Sequence, residues 1–495
     1  MATNTEMRTA RRLGLLETAS SAFHLMGLYR AVVVSANYSI PSRNPSKEAI
    51  LAALGNLIAD NPILRVGIKD EGSTDAYFTH IPEMKLEDFV EFHASTSDQE
   101  FSKDLENLHC WCHDQIFQDV ETRPPWRVIV LRSDAKSPDY EAVIFAFHHS
   151  LMDGMGGRLF HEKLLAKLNA LPSEPLAPGA LSFPECPELP GPQEKVVDYT
   201  TTVTHRLLNF LTWIRPWFLT PGAQEIWSAE PIDFSRPHKT RLTSLDIPPD
   251  VVKSVLEATR SHGTSVTGLL HAIALASLSR RVPEAPGFVS STPISMRPYI
   301  SPTVDSAVKE ALFGCVSGTV HEHSSAEVNA LRNAKGEALD DLVWKHARKV
   351  KNELKQKTST LPANEGLQAL ESITDWTEFL VERDGQKRKR TWEVSNVGML
   401  TQADEIGEGK RAISRAMFTN SPMISSDPMS ISVISAKNGM LTLGITWNEG
   451  IVDEELMEGL KEDLAASMEQ LHEEGELCMH WLYEEEAEVQ EQVSS

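Results

Sequence analysis

An apolar run, Val143-Ile144-Phe145-Ala146-Phe147, stops abruptly at His148-His149-Ser150-Leu151-Met152-Asp153-Gly154. Branched and aromatic residues in such a run read as a buried strand. A strand that ends in histidine carries an imidazole to the edge of a core, where a substrate can reach it. Histidine titrates near neutrality, so an imidazole placed there takes a proton from a hydroxyl, amine or thiol and returns it. Gly154, Gly156 and Gly157 are then expected to let the backbone turn tightly. A histidine four residues before an aspartate is a common pattern in a chain of 495 residues. The doubled histidine, the strand before it and the glycine directly after Asp153 make it far more specific. The competing reading is a satisfied histidine pair at a strand end.

The elements that must position this motif alternate in the α/β manner. Gly27 to Tyr38 reads as a strand, and Ser46 to Ile58 as a helix capped by Ser46 with an apolar stripe through Ile50, Leu54 and Leu57. Pro62 to Val66 begins another strand, Leu105 to Phe117 is a helix, and Pro124 to Leu131 turns into the strand before the motif strand. Seven prolines between Pro172 and Pro192 mark a linker or crossover. Beyond it, Phe210, Trp213, Trp217, Phe218 and Trp227 form an aromatic segment. Packing between lobes, a wall for an apolar substrate, and peripheral membrane contact are its three readings. A second lobe starts near Thr240. Ser265 or Thr267 caps a helix in which His271 is a core residue. A second stripe runs from Leu339 to Leu354. Strands at 430–436 and 440–447 are joined by Asn438-Gly439, a hairpin signal, and 452–470 reads as a helix.

Length argues for two domains, and 41% hydrophobic with 24% charged residues is ordinary for a globular chain. A net charge of −23 argues against nucleic acid and against docking on anionic lipid. Residues 471–495 hold eight glutamates and no Lys or Arg, a solvated end. The five cysteines, Cys110, Cys112, Cys186, Cys315 and Cys478, suggest reduced thiols inside the cell. His109, Cys112 and His113 share a helix face. A packed face accounts for them better than zinc, which wants a fourth ligand and a looser loop. There is no evident N-terminal signal and no apolar run of about 18 residues, so no membrane span is expected.

The His148-His149-Ser150-Leu151-Met152-Asp153-Gly154 segment resembles the HHxxxDG motif of the CoA-dependent acyltransferases related to chloramphenicol acetyltransferase, plant BAHD enzymes and condensation domains. Ser291-Thr292-Pro293-Ile294-Ser295-Met296-Arg297-Pro298 looks like the arginine-bearing segment of that group. Val394-Ser395-Asn396-Val397-Gly398 is similar to the Ser-Asn-x-Gly segment of fungal alcohol acetyltransferases. Leu28-Tyr29, Asn61-Pro62-Ile63-Leu64 and Pro125-Trp126-Arg127 match the same group, and the resemblance runs from about residue 10 to 470. The plant DFGWG motif is missing, which favours the fungal branch.

The resemblance implies a mixed-sheet α/β fold of two chloramphenicol-acetyltransferase-like lobes around a central tunnel. The expected division is 1–175 for the N-terminal lobe, 176–238 for the crossover and aromatic segment, 239–480 for the C-terminal lobe and 481–495 for the acidic tail. It implies that His149 deprotonates the acceptor, which attacks the thioester of acetyl-CoA directly. His148 is expected to be structural. Asp153, followed by Gly154, would pair with Arg297 rather than act in a triad. Ser395, Asn396 and the backbone of Gly398 are oxyanion or tunnel candidates, with a simple turn as the alternative. Lys387, Arg388, Lys389 and Arg390 either meet the CoA phosphates or form a solvated hairpin tip. No metal and no permanently bound cofactor are expected; acyl-CoA is a co-substrate. The implied function is O-acetylation of an alcohol or hydroxylated metabolite by a cytoplasmic monomer. N-acylation of an amine, a condensation-type domain fed by a carrier protein, and a non-catalytic binding module are the alternatives.

Overall fold

The computed structural model describes residues 8–41, 46–97, 99–133, 139–172, 176–200 and 225–477. Its strands are β1 (Thr9–Arg12), β2 (Val32–Ser39), β3 (Val66–Lys69), β4 (Tyr77–His80), β5 (Glu83–Lys85), β6 (Val90–Ala94), β7 (Trp126–Arg132) and β8 (Tyr140–Phe147) in the first part of the chain. Then follow β9 (Ala180–Ser182), β10 (Thr240–Ile247), β11 (Phe288–Ser295), β12 (Val316–His323), β13 (Trp392–Leu400), β14 (Ile413–Asn420), β15 (Met429–Ala436) and β16 (Leu441–Asn448). Two large sheets dominate. One runs β14-β2-β8-β7-β6 and the other β10-β16-β15-β13-β11-β12. Both are mixed: β6–β7, β11–β13 and β13–β15 are parallel, while the remaining pairs in these sheets are antiparallel.

The motif strand lies at the centre of the first sheet because both of its faces are apolar. Val143 to Phe147 are fully buried, with β2 on one side and β7 on the other. Helix Gly154–Ala170 packs on this sheet through Leu159, Phe160 and Leu164, and Phe160 stacks on Phe145 with ring centroids 3.7 Å apart. The second sheet has its own core, with helix Val266–Arg281 buried along nearly its whole length between β-strands and helix Glu337–Thr360.

β14 belongs to the second half of the sequence yet pairs with β2 in the first sheet. It continues past Ile424 into β15 of the second sheet, so the chain stitches the two halves together. The seam is tight. A Cβ on Gly444 of β16 would stand 2.6 Å from the Phe418 carbonyl oxygen of β14. Only glycine lets the two backbones approach so closely. At the outer end of the first sheet Glu141 is fully buried between Arg132 and Arg411, each 2.7 Å away, and so ties the β7–β8 edge to the entry of β14.

Several sequence expectations are met closely. Ser46 caps Lys47–Asp60 by accepting from the Ala49 N–H at 3.0 Å, and Ser265 caps Val266–Arg281 by accepting from Gly268 at 3.2 Å. The late hairpin and the following helix, Glu454–Glu473, are present. Others need correction. Pro62–Arg65 is a short 3-10 helix, and the strand starts only at Val66, because Pro62 opens the turn that leaves Asn61. The helix expected at 105–117 runs from Phe101 to Asp114. Gly154, Gly156 and Gly157 do not form a tight glycine turn; all three lie in the first turn of a helix. What forces glycine there is packing. A Cβ on Gly154 would meet Phe418 and Val397 at 2.8 Å, and one on Gly157 would meet Val34 at 2.6 Å.

Phe210, Trp213, Trp217 and Phe218, and the acidic tail 481–495, lie outside the described residues. Trp227 packs edge-on to Phe288 at the rim of the second core. No helix among the described residues is long and apolar enough to cross a membrane.

Replacing Gly444 by Ala should lower stability by about 1–3 kcal/mol, the usual scale for overpacking. Gly179→Ala, with nothing within 4 Å of its Cβ position, should leave the melting temperature unchanged. Thermal denaturation of the two variants checks the seam.

Candidate active site

β8 ends at Phe147, and the turn that follows, closed by the Leu151 N–H donating to the His148 carbonyl at 3.0 Å, sends two adjacent histidines different ways. His148 turns inward and is fully buried. His149 turns into a chamber of about 1220 Å³, lined from both halves of the chain. The half-buried imidazole of His149 faces that chamber, with the Tyr29 ring 5.4 Å away. Burial lowers its pKa below the ordinary 6.5, although a hydrogen bond to its own backbone and the charge of Asp153 pull the other way. The neutral ring, with a free lone pair, is therefore the resting form at neutral pH.

Asp153 does not orient that ring. One of its carboxylate oxygens accepts from the Gly156 N–H at 2.8 Å, capping helix Gly154–Ala170, and the other accepts from the Cys315 N–H at 2.9 Å. The Arg297 guanidinium reaches the first oxygen at 3.4 Å. Arg297 is itself clamped by the carbonyls of Lys309, Ala311 and Phe313 at 3.0, 2.9 and 2.7 Å. Asp153 and Arg297 are thus brought together.

His148 belongs to a cluster with no local sequence signal. Its Nδ1 accepts from the Ser150 N–H at 2.9 Å, so Nε2 carries the proton and donates to Glu71 Oε1 at 3.2 Å. His24 mirrors it. Its Nε2 accepts from the Phe117 N–H at 3.2 Å, so Nδ1 donates to the same Glu71 oxygen at 2.7 Å. Burial alone would raise the Glu71 carboxyl, but these two hydrogen bonds outweigh it and hold the pKa at about 2. Burial and the neighbouring His24 lower His148 to about 4, against the contact with Glu71. Among the described residues this trio is also the tightest grouping of metal-ligand types. The hydrogen bonds speak against an ion there. A metal-bound imidazole donates its far N–H to an acceptor, whereas both far nitrogens here accept from backbone N–H groups. The trio anchors the strand end next to His149.

Ser395, Asn396 and Gly398 all line the chamber. Ser395, on β13, has no described hydrogen-bond partner for its hydroxyl. Asn396 donates to Thr267 Oγ at 3.2 Å, and its carbonyl oxygen accepts from the Gly398 N–H at 2.9 Å. That bond removes the Gly398 amide as an oxyanion donor, a correction to the expectation. Gly398 is needed for its positive φ of 78°. The basic run also splits. Arg388 is buried and spends its guanidinium on the carbonyls of Glu230, Met423, Ile424 and Ser426, so it is a structural tie and not a phosphate contact. Arg390 pairs with Asp427 at 3.1 Å inside the chamber, while Lys387 and Lys389 are exposed.

Glu393 was not singled out by sequence reasoning. It precedes Ser395 by two residues on a strand, so period-two alternation would have placed it on the same face. It lines the chamber, and Asn420 Nδ2 donates to its Oε1 at 3.0 Å. Burial, then the nearby Asp427, raises its carboxyl to about 7, with Arg390 and Asn420 opposing. The face of His109, Cys112 and His113 is packing: both rings meet the Thr419 hydroxyl, at 2.9 and 2.8 Å.

This architecture is that of two-lobed acyl-transfer and condensation domains. A trichothecene 15-O-acetyltransferase from Fusarium sporotrichioides superposes with a TM-score of 0.64 at 12% identity, over 94% of this chain and 96% of that one. The first condensation domain of the CDA synthetase gives 0.59 at 12% identity, over 96% and 99%. The alcohol acetyltransferase family model matches residues 12–462, and the chain belongs to that family. It is 26% identical to a probable alcohol acetyltransferase of Fusarium pseudograminearum, over 94% of this chain and 96% of the relative. A probable alcohol acetyltransferase of Aspergillus fumigatus is 24% identical, over 91% and 97%. The protein is an acyltransferase of fungal type.

Glu71→Gln should cost about 1–3 kcal/mol, because two buried N–H donors lose a charged acceptor. Glu71 stabilises the fold as a carboxylate with a depressed pKa. Its contribution is therefore full above the ordinary 4.5 and is lost as pH falls toward 2. The gap in melting temperature between wild type and Glu71→Gln should be open at pH 7 and narrow as pH drops through that window.

Proposed function

We propose that the protein transfers acetyl from acetyl-CoA to the hydroxyl of a small alcohol or hydroxylated metabolite, with His149 as general base. The observation that carries this reading is the neutral imidazole of His149 facing a chamber walled by both halves of the chain. The acceptor hydroxyl loses its proton to His149 as its oxygen attacks the thioester carbonyl. The tetrahedral oxyanion then collapses, the C–S bond breaks, and the imidazolium returns the proton to the leaving CoA thiolate. No acyl-enzyme forms. The Ser395 hydroxyl and the Asn396 amide are the donors for the oxyanion. Arg297 and Asp153 hold the loop that carries the base. Exposed Lys387 and Lys389 are left as the part of the basic run that can meet CoA phosphates.

His149→Ala should lower turnover at least about a hundredfold in a folded protein, the scale of a general base. Release of CoA from acetyl-CoA with a panel of alcohols and amines measures it. Near-wild-type turnover would remove the reading, and preferential use of amines would convert it to N-acylation. Because burial lowers the His149 pKa, the acid limb of kcat/KM should lie below 6.5 in wild type.

Ser395→Ala should reduce kcat by about 10²–10³ while acetyl-CoA binding changes little, since an oxyanion donor acts on charge that develops in the transition state. Asn396→Ala should follow the same pattern. Weakened CoA binding at unchanged kcat would place either residue on the donor surface instead.

A further inference from the structure

One group of chamber residues has no role in the proton transfer just described. Glu393 and Asp427 are two carboxyl groups facing the same space as His149. Asp427 is committed: it accepts from Ser291 at 3.2 Å and from Ser426 at 2.8 Å, and it pairs with Arg390 at 3.1 Å. Glu393 is not. Its Oε1 accepts from Asn420, whose own carbonyl oxygen accepts from the Tyr29 hydroxyl at 3.2 Å. Its Oε2 has no hydrogen-bond partner among the described residues. Glu393 is half-buried in the chamber wall, so this unpaired oxygen is open to the chamber and free to meet a ligand group there.

The charge balance indicates what that group is. Asp427 and Arg390 neutralise one another, and burial raises the Glu393 carboxyl so that it is not a fixed negative charge near neutrality. The cluster offers little net field for an ammonium. It offers a group that both accepts and donates hydrogen bonds, which matches a hydroxyl. Placement matters as well. Glu393 and Ser395 are two residues apart on one face of β13, about 7 Å along the strand. A group bound at Glu393 is therefore separated from the acyl-transfer point rather than adjacent to it.

We propose that Glu393, held by Asn420 and flanked by the Asp427–Arg390 pair, reads a second hydroxyl of the acceptor, so that the enzyme acylates neutral diols or polyols in preference to simple monoalcohols. This rests on the acyl-transfer reading above. Glu393 is a specificity residue and not a catalytic one.

The test compares cyclohexanol, trans-cyclohexane-1,4-diol and trans-4-aminocyclohexanol as acceptors with acetyl-CoA. Wild type should favour the diol over cyclohexanol at least about tenfold in kcat/KM, chiefly through KM; tenfold is the scale of one good hydrogen bond. In Glu393→Leu that ratio should collapse toward one, and in Glu393→Gln part of it should return. Thermal shift with the same molecules in the absence of acetyl-CoA gives a readout that needs no turnover. The diol should raise the melting temperature of wild type but not of Glu393→Leu. Equal use and equal binding of diol and monoalcohol by wild type would overturn the proposal. So would a preference that survives Glu393→Leu, or stronger binding of the amine, which would show a cation site. Diol-specific binding that depends on Glu393, without acetyl transfer to any acceptor, would instead count against the acyl-transfer reading.

Discussion

The site depends on burying one carboxylate. Asp153 sits at the junction between the central strand and the helix that follows, almost out of reach of water. A charge there is tolerable only if its lone pairs are met by good donors. The donors come from both halves of the chain: the Gly156 amide from the helix, the Cys315 amide and the Arg297 guanidinium from the second half. Arg297 in turn is fixed by three backbone carbonyls. The loop bearing His149 thus takes its shape from a contact between the lobes, and the chamber forms where that contact is made. Truncating either side would leave a buried charge unmatched, a cost of about 3–5 kcal/mol.

From the same strand end, two identical residues acquire opposite duties. The turn after β8 sends His148 into a fully packed environment, where Ser150 and Glu71 consume both of its nitrogens. It sends His149 into the chamber, where no described side chain hydrogen-bonds its ring. Burial lowers the pKa of both. For His148 the result is a neutral donor that anchors the strand end, and for His149 a neutral imidazole that faces the chamber. Ser395, Asn396, Glu393 and Asp427 all line it.

The stitching of the two halves sets how exactly these groups are held. β14 leaves the second half of the sequence, completes the first sheet beside β2, and returns to β15. Phe418 of β14 touches the Gly154 position on one side, and its carbonyl lies against Gly444 on the other. The lobes therefore cannot slide without breaking a sheet.

Local pattern was enough for the elements with strong periodicity. The apolar run ending in two histidines, the Ser46 and Ser265 caps and the Asn438-Gly439 hairpin could each be read because a strand, a helix start and a tight turn are decided by a few neighbouring side chains. The segments carrying His149, Asp153, Arg297, Ser395 and Asn396 were picked out by resemblance to a family's motifs, and Ser395 and Asn396 lie within β13 and not in a turn. Features made of distant partners were not. Glu71 lies in a polar turn 77 residues from His148, and nothing near it in sequence announces that two imidazoles will share its oxygen. Arg388 and Arg390 look alike in a basic run, yet one is consumed by four carbonyls and the other faces the chamber. The glycines after Asp153 pointed to a turn, but the reason for them is the approach of Val397, Phe418 and Val34 from elsewhere in the chain. By itself the sequence determined which residue types stand at strand ends and helix starts, since those preferences act over a few residues. Only the tertiary structure decided which charges are matched, which amides are already taken and which carboxyl is left facing the chamber, since burial and hydrogen-bond pairing are properties of the assembled chain.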